Sequence, residues 1–432
     1  NTHHLLPDAS LLQPWCQRGK PVVGRTCCYA MGSSQMRAGT AQQPVHKLQK
    51  AVSHAARSMG QYGGVLLQAA AAWDGSVFFA GAAGNLTYGR HASQLSTSDS
   101  FEVASITKMV TATVVMQMVD EGQLELDQSW RSVAGGQVEA KVKAHVPNWS
   151  FDGDFTITQL LQHTSGLPNY WDDDSAFIQA FEADADRLWT TWELLSYAAD
   201  MKPSCSAAQR GTPEAFSYAD TNYLLLGVMI EILNGDTLPT IFRKRVFDPA
   251  GMSPKDTYCE FLEERPSGAP PLATRYLGKL QITGKKQHSA DSFAAGGIVS
   301  TARDLEKFMA ALASGKLFPN GEDTLKKMMC WIPAKRGAGW WYGLGIMRID
   351  LEDQIGFFSL TRLWSNKPMG FLWGHEGFGG AFAWYWTHSG LEKGIIITGT
   401  TNNEGRAYGD LVMTAVQQMQ RLILSNPVTI TS

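Results

Sequence analysis

Two pairs of short apolar stretches, one near each end of the chain, have the length and pattern of β-strands. Residues 64–73 and 76–79 flank Asp74-Gly75, a dipeptide that favours a tight hairpin turn. Residues 381–386 and 395–400 are similarly apolar and flank a loop that contains glycine. The pattern therefore predicts one strand pair near each end of the chain.

Helical periodicity appears in three other places. Residues 46–59 and 411–424 each place apolar side chains on one helix face. These side chains are Leu48, Val52 and Ala55 in the first segment and Val412, Val416, Met419 and Ile423 in the second. Residues 105–119 are apolar nearly all round, which is typical of a buried helix, and Gly122 follows where a C-cap glycine is expected.

Strands at both ends and helical patterns between them predict a mixed α/β (α+β) fold. We expect one antiparallel sheet flanked by helices, with an inserted, mostly helical lobe. Residues 1–45 are rich in Pro, Gly, Ser, Gln and Cys, without a sustained period, and are interpreted as an extension. Residues 46–432 then form one domain, with its sheet region at about 46–121 and 291–432 and its lobe at about 122–290.

Composition and charge exclude several classes of partner. The 432 residues are 44% hydrophobic, and 37 Lys and Arg against 40 Asp and Glu give a net charge of -3. This balance provides no basic surface for nucleic acid or for an anionic membrane. The apolar runs are also shorter than the roughly 18 residues that a helical span needs, so we expect no membrane span.

The cysteines and two glycosylation motifs bear on localisation. The six cysteines are Cys16, Cys27, Cys28, Cys205, Cys259 and Cys330. Their spacing fits neither a zinc site nor a CxxC pair, whereas an even number permits disulfides in an oxidising compartment. Asn85 and Asn148 begin N-glycosylation motifs, and the sequence begins without Met. Together these features predict a secreted or extracellular glycoprotein, periplasmic in a bacterium.

Candidate chemistry centres on Ser105 and Lys108. Their spacing of three residues places both side chains on one face of the apolar helix. Ser105 lies in the first turn, where unpaired backbone N–H groups and the helix dipole favour a developing anion. A buried amine one turn away can accept the serine proton, which is the basis of Ser-x-x-Lys chemistry.

Two further segments could complete such a site. Tyr218 precedes an apolar helix start, and a phenol presented there can relay a proton when cations lie nearby. Gly377 lies in a glycine-rich segment that leads into a strand, where a substrate could lie along the strand edge. The backbone N–H of Phe378 could join that of Ser105 as an oxyanion hole.

The order Ser-x-x-Lys, Tyr-x-Asx and His-x-Gly resembles the superfamily of serine β-lactamases and D-Ala-D-Ala carboxypeptidases. The resemblance is nearest to the class C β-lactamase and esterase branch, and it spans roughly residues 48 to 425. Supporting segments in the same order are residues 160–168, 294–305 and 342–345. The resemblance implies a β-lactamase/transpeptidase-like fold and hydrolysis through an acyl-enzyme on Ser105, without a metal or an organic cofactor.

The resemblance also implies roles for individual residues. Lys108 and Tyr218 would share the acid and base roles. Asp220 matches an Asn that orients the substrate amide and contacts the lysine. His375 matches the third motif's Lys or His, which binds acidic groups and tunes the tyrosine. Substrate contacts are also expected from Glu376, Gly377, Phe378 and Trp341, whereas His163 is expected to pack beneath the site.

Three departures from the family pattern affect the expected substrates. Asp220 replaces an amide by a carboxylate, Glu376 stands where the family often has Thr, and His375 carries less charge than Lys. A carboxylate beside Lys108 would also favour the ammonium form and weaken the amine as a base. We therefore hypothesise poor turnover of penicillins and D-Ala-D-Ala peptides, and better turnover of neutral esters or of amides with a free amine.

The predicted function is that of a serine hydrolase that cleaves ester or amide bonds of small substrates, as an esterase, D-amino-acid amidase or peptidase, or β-lactamase-like enzyme. One alternative is a secreted structural or assembly component with a weak or inactive site, which could bind a protein partner through residues 1–45. A zinc hydrolase is disfavoured because the histidines lack a ligand-like spacing. The natural substrate, the choice between hydrolysis and acyl transfer, and the oligomeric state stay open.

Overall fold

The computed structural model describes residues 38–72, 74–89, 92–149, 151, 154–172, 175–354, 369–388, 391–403 and 406–425. The helices in these ranges are α1 (Ala38–Met59), α2 (Thr107–Asp120), α3 (Gln137–His145), α4 (Ile157–Leu161), α5 (Ala176–Ala183), α6 (Thr191–Ala199), α7 (Asp220–Asn234), α8 (Leu238–Phe242), α9 (Asp248–Ala250), α10 (Ala302–Ala313), α11 (Glu322–Met328), α12 (Leu351–Gln354) and α13 (Arg406–Ser425). The strands are β1 (Gly64–Ala71), β2 (Val77–Gly84), β3 (Ser100–Glu102), β4 (Tyr258–Cys259), β5 (Tyr276–Leu277), β6 (Leu280–Gln281), β7 (Ile298–Thr301), β8 (Ile332–Pro333), β9 (Trp340–Tyr342), β10 (Met347–Asp350), β11 (Phe371–Gly377), β12 (Ala381–Thr387) and β13 (Ile395–Thr400).

A large antiparallel sheet joins the two ends of the chain, as the sequence predicts. Its strand order is β2-β1-β13-β12-β11-β10-β9-β8. Strand β1 pairs with β13, so that Leu66 lies opposite Thr400. The predicted first hairpin is also present, and Gly75 in its turn has a φ of +70° and donates its N–H to Ala71. A positive φ explains why glycine occupies that turn position.

Helices cover both faces of this sheet. On one face α1 packs against α13, and their buried side chains include Leu48, Val52, Val412 and Val416. Alternate residues of β1 face this layer, whereas Leu66 belongs to the core on the opposite face, where α10 contacts β1, β12 and β13. The alternation follows from the two-residue period of a strand. The fold is therefore the mixed α/β architecture that the sequence predicts.

The segment between α2 and β7 is mostly helical. It contains α3 to α9 and the short strands β4, β5 and β6. Helix α2 packs against α7, and both are buried along most of their length. This contact brings the amino-terminal ends of α2 and α7 together next to the large sheet, where the site described below is formed.

Helix α1 begins at Ala38, before the predicted start of the domain at residue 46, and the domain boundary itself stays a prediction. No apolar periodicity marks the first part of this helix, since Pro44 lies inside it among polar residues. Helix α1 as a whole packs along α13 and β2. Residues 1–37 lie outside the described residues, and so does their predicted role in binding a partner.

Two expectations about the whole molecule can be compared with the described residues. Cys205, Cys259 and Cys330 are free thiols, so the predicted disulfides find no support among them, and the other three cysteines lie outside the described ranges. No single helix in the described part of the chain is long and apolar enough to cross a bilayer. The bent pair Asp220–Asn234 and Leu238–Ala250, which turns by 79°, meets those criteria only when its two helices are taken together.

Candidate active site

The candidate nucleophile lies on a short 3₁₀ turn, Ala104–Ile106, that leads directly into α2. Ala104 has a φ of +47°, a left-handed conformation that costs a non-glycine residue about 1–3 kcal/mol. Such strain persists where surrounding contacts enforce it, and it places the half-buried Ser105 at the edge of a cleft. The serine hydroxyl is therefore presented to a ligand from the start of a buried helix.

The Lys108 amine lies beneath this hydroxyl and is completely buried. Its Nζ donates to Ser105 Oγ at 3.0 Å and to the carbonyl oxygen of Ala295 at 2.8 Å. The same nitrogen lies 2.7 Å from Asp220 Oδ1, at the start of α7. The Lys108 ammonium thus donates two hydrogen bonds, and its contact with Asp220 is an ion pair without a well-aligned hydrogen bond. The structure thus joins serine, lysine and aspartate in one contact chain.

The carboxylate decides the protonation state of the buried amine. Burial by itself lowers the pKa of Lys108, but Asp220 and Tyr218 outweigh burial and raise this pKa above its ordinary value. The amine is therefore an ammonium group at neutral pH. This agrees with the expectation that Asp220 weakens Lys108 as a base.

Tyr218 provides the third group of the cluster. Lys108 Nζ lies 5.0 Å from the centre of its ring, and its phenol oxygen is buried. Burial raises the pKa of Tyr218, although the nearby Lys108 and Ser105 partly counteract this effect. No well-aligned hydrogen bond to the phenol oxygen is formed. The phenol is therefore protonated at neutral pH and can act as a proton donor.

The end of β11 approaches the nucleophile closely. A Cβ atom on Gly377 would lie 2.1 Å from the carbonyl oxygen of Val103, so only glycine permits this approach. In the described part of the chain, the backbone N–H groups of Ser105 and Phe378 have no acceptor. Two free donors beside a nucleophile are the elements of the predicted oxyanion hole.

The two charged or titratable residues of the third motif are paired within the protein. His375 is fully buried, and burial lowers its pKa to about 3, so it is a neutral imidazole. Glu376 forms an ion pair with Arg336, whose guanidinium also lies over the ring of Trp340. Neither side chain therefore supplies a free charge to a substrate in this structure.

Trp341 is not among the side chains that line the cleft, and its contact with a substrate stays a prediction. Its indole nitrogen donates to Asp350 Oδ2 at 2.8 Å. Side chains alternate along β9, so Trp341 lies on the face opposite to Trp340 and Tyr342.

The cleft has a volume of about 610 Å³. Its lining comprises Ser105, Ser204, Phe216, Ser217, Tyr218, Lys335, Arg336, Met347, His375, Glu376, Gly377, Phe378 and Gly380. Sequence reasoning missed Lys335 and Arg336, which lie in the loop between β8 and β9. No motif marks this loop, and only the pairing of Glu376 with Arg336 reveals its relation to the site.

The comparison with family models decides the relationship. The β-lactamase family model matches residues 52–418, which is most of the chain. The chain belongs to the β-lactamase family. The match extends from α1 to α13 and includes every side chain of the site described above.

Individual proteins show how this β-lactamase-family chain relates to others. Penicillin-binding protein 4 of Amycolatopsis lactamdurans is 28% identical over 256 residues, 56% of this chain and 58% of that protein. The chain thus spans little more than half the length of this curated relative. The structure of a D-stereospecific amidohydrolase from Streptomyces sp. has a TM-score of 0.60 and 25% identity, and covers 86% of this chain and 98% of that chain. The D-amino acid amidase of Ochrobactrum anthropi SV3 shares the fold, with a TM-score of 0.66 and 21% identity over 89% of this chain and 99% of that one.

Replacement of Asp220 by Asn is expected to move the pH dependence of activity toward lower pH. A step that needs the neutral Lys108 amine accelerates as pH rises through the pKa of Lys108, which Asp220 raises. Asn removes the carboxylate and leaves burial, which lowers this pKa. The measurement is kcat/KM for a p-nitrophenyl acyl ester from neutral to alkaline pH. An unchanged position of the rising limb would contradict this role of Asp220.

Proposed function

We propose that this chain is a hydrolase that cleaves ester or amide bonds of small substrates through an acyl-enzyme on Ser105. The observation that carries the proposal is the 3.0 Å contact between the buried Lys108 amine and Ser105 Oγ at the edge of the cleft. A fully buried amine costs free energy that a purely structural site has no need to bear. The amidohydrolase and amidase structures named above add support from similarity.

In the proposed reaction, Ser105 Oγ attacks the substrate carbonyl, and the acyl–oxygen bond forms as the bond to the leaving alcohol or amine breaks. The serine proton passes to the neutral form of Lys108, whose own excess proton has gone to solvent or to Asp220. The protonated Tyr218 phenol donates to the leaving group. Water then attacks the acyl carbon, and the proton transfers reverse to release the acid and regenerate the serine.

The charges around the cleft favour substrates that lack a carboxylate beside the scissile bond. The third-motif position that often carries a lysine holds a neutral, buried His375. Arg336, which could bind a carboxylate, is already paired with Glu376. Neutral esters and D-amino-acid amides are therefore the proposed substrates, and penicillins are expected to be poor ones.

A panel of three substrates tests this proposal. We expect kcat/KM for a p-nitrophenyl acyl ester or a D-phenylalanine amide to exceed that for nitrocefin by about tenfold or more, the effect of one lost charge-assisted contact of roughly 1.5–3 kcal/mol. Peptide mapping after trapping with a fluorophosphonate should place the adduct on Ser105. Strong nitrocefin hydrolysis without ester or amide cleavage would overturn the substrate class, and absence of any adduct would overturn the hydrolase.

Secretion also stays a proposal, supported by the motifs at Asn85 and Asn148. The alternative of a catalytically inactive assembly component has no observation in its favour among the described residues. Isolation of the protein from its source cells and from their medium, followed by N-glycosidase treatment of both fractions, checks the localisation. A mass shift on treatment supports secretion, and retention of unmodified protein inside the cell contradicts it.

A further inference from the structure

We propose that His163, Tyr342 and His375 form a directed chain of hydrogen bonds that sets the position of the Tyr218 loop relative to the oxyanion-forming end of β11. His163 and Tyr342 are then positioning residues for the reaction, a role that rests on the proposed function of the site. They do not touch the reacting atoms themselves. Their effect would pass through the backbone segments that they connect.

The three side chains are almost completely buried and meet at one hydroxyl group. Tyr342 Oη lies 3.2 Å from His163 Nε2 and 3.2 Å from His375 Nε2. The exposed fractions are 1% for His163 and 0% for the other two side chains. Buried polar groups without partners are costly, so each of these contacts is expected to be a real hydrogen bond.

The outer ends of the chain fix the direction of every bond in it. His163 Nδ1 receives the backbone N–H of Ala219 and the side-chain amide of Asn222, both at 3.2 Å. Because a backbone N–H can only donate, this Nδ1 is unprotonated. His375 Nδ1 lies 2.5 Å from the carbonyl oxygen of Glu376, which can only accept, so this Nδ1 carries a proton.

The Tyr223 hydroxyl, which donates to the carbonyl oxygen of Leu161, also lies within hydrogen-bonding reach of Tyr342 Oη. With neutral imidazoles, one arrangement of the centre satisfies every ring nitrogen. Burial lowers the pKa of both histidines, and the nearby Lys108 cation lowers them further. His163 is therefore protonated at Nε2 and donates to Tyr342 Oη. The Tyr342 hydroxyl in turn donates to the unprotonated Nε2 of His375. All bonds run in one direction, from Ala219 to Glu376, and each polar atom is satisfied.

The chain of hydrogen bonds connects the Tyr218 loop with the end of β11, two parts of the site whose relative position matters for the proposed reaction. Ala219 immediately follows Tyr218, and the His163 ring also packs on the Tyr218 ring with centroids 4.3 Å apart. At the other end, Glu376 immediately precedes Gly377, which lies against the nucleophile turn. The hydrogen-bonded chain thus connects the Tyr218 loop with the end of β11 that provides an oxyanion donor. A misplacement of about 1 Å can lower a rate by about a hundredfold.

The backbone of His163 also contacts the Tyr218 loop. Its φ is +57°, a left-handed conformation that is uncommon outside glycine but that histidine, like asparagine and aspartate, adopts more often than other residues. The carbonyl oxygen of His163 accepts a hydrogen bond from the backbone N–H of Ser217. His163 therefore contacts the Tyr218 loop at three places: its carbonyl, its Nδ1 and its ring face.

Replacement of Tyr342 by Phe tests the positioning role. The variant keeps the ring and removes the hydroxyl, which leaves a buried N–H donor and a buried acceptor without partners. We expect kcat for a p-nitrophenyl ester to fall by about 10- to 100-fold, with KM changed by less than about threefold, as is typical when a supporting partner is lost. Tyr170→Phe is the matched control, since its buried hydroxyl donates to the carbonyl of Ala290 at 2.9 Å, outside the chain.

The control separates positioning from stability. Tyr342→Phe loses two buried hydrogen bonds and Tyr170→Phe loses one, so both variants should lose stability in urea unfolding, the first more than the second, but Tyr170→Phe should keep kcat within about threefold of wild type. An equal kcat in wild type and Tyr342→Phe would overturn the proposal. A fall in kcat that Tyr170→Phe reproduces would overturn it as well, because the effect would then be one of general stability.

Nitrogen-15 NMR of the unmodified protein tests the chain even if Tyr342→Phe does not fold. Two-bond proton–nitrogen spectra, assigned with His163→Gln and His375→Gln, should show His163 protonated at Nε2 and His375 at Nδ1 at neutral pH. The opposite tautomer at either residue, or an imidazolium, would overturn the directed chain. Fluorophosphonate labelling of the same sample tests the proposed function separately, since unreactive Ser105 with the expected tautomers would refute the hydrolase and leave the geometry of the chain intact.

Discussion

Replacement of Ser105 by Ala is expected to lower hydrolysis of a p-nitrophenyl ester by about 10³-fold or more, because it removes the proposed nucleophile. The fold should be unaffected, since Ser105 is half-buried and its hydroxyl makes one contact, with Lys108. The measurement combines steady-state hydrolysis with intact mass after exposure to a fluorophosphonate. Both turnover and adduct should disappear.

Ser217→Ala is the matched control for this prediction. Ser217 lines the same cleft, so the variant tests whether any cleft serine is labelled. It should form the adduct at a rate within about tenfold of wild type, because the Lys108 contact that activates Ser105 is untouched. An adduct that persists in Ser105→Ala and disappears in Ser217→Ala would show that Ser217, and not Ser105, is the nucleophile.

Replacement of Lys108 by Met is expected to reduce kcat/KM by about 10²- to 10⁴-fold, the usual contribution of a general base or acid. The variant also leaves Asp220 without the partner that lies 2.7 Å away. Loss of one member of a buried ion pair costs about 3–5 kcal/mol, and somewhat less where the remaining group can reach water. Asp220 is 15% exposed, so the expected loss lies at the lower end of this range.

The double variant Lys108→Met with Asp220→Asn separates these two effects. It should recover most of the stability in urea unfolding, since no unpaired carboxylate remains, but it should recover none of the activity. Lys244→Met is the control for a surface pair, because Lys244 and its partner Asp236 are exposed and such pairs contribute about 0–1 kcal/mol. Recovery of activity in the double variant would show that Lys108 acts only by neutralising Asp220.

The protonation states of Lys108 and Tyr218 are compatible with an aspartate at position 220. Asp220 raises the pKa of Lys108, and burial raises the pKa of Tyr218. Both groups are therefore protonated at rest, and the reaction must begin with the loss of one proton from the amine. This order of events accounts for the expected rise of activity with pH and for the expected shift of that rise toward lower pH in Asp220→Asn.

Much of the fold could be predicted from local patterns. The hairpin near residue 75, the pairing of the chain ends and the buried helix after Ser105 follow from periodicities of two and 3.6 residues. The start of α1 could not be predicted, because Pro44 and its polar neighbours show no apolar stripe and the helix depends on α13 for its stability. The sequence did not indicate that the indole of Trp341 donates to Asp350, because that contact depends on the pairing of β9 with β10.

The sequence by itself determined which residues are candidates for the chemistry. Ser105 and Lys108 are three residues apart on one helix, and this spacing alone brings their side chains together. Tyr218 and Asp220 could be assigned by family resemblance, which also gave the order of the motifs. Local backbone geometry is encoded over a few residues, so a sequence pattern is sufficient to predict it.

Only the tertiary structure decided the state of these groups. The pairing of Glu376 with Arg336 spans 40 residues, and the contact of His163 with Tyr342 spans 179. The strengths of hydrogen bonds and ion pairs change strongly over a fraction of an ångström, and burial increases their effect on the pKa values of the groups involved. No periodicity along the chain encodes distances of that precision, because they arise from the packing of α2, α7, β9 and β11 against one another.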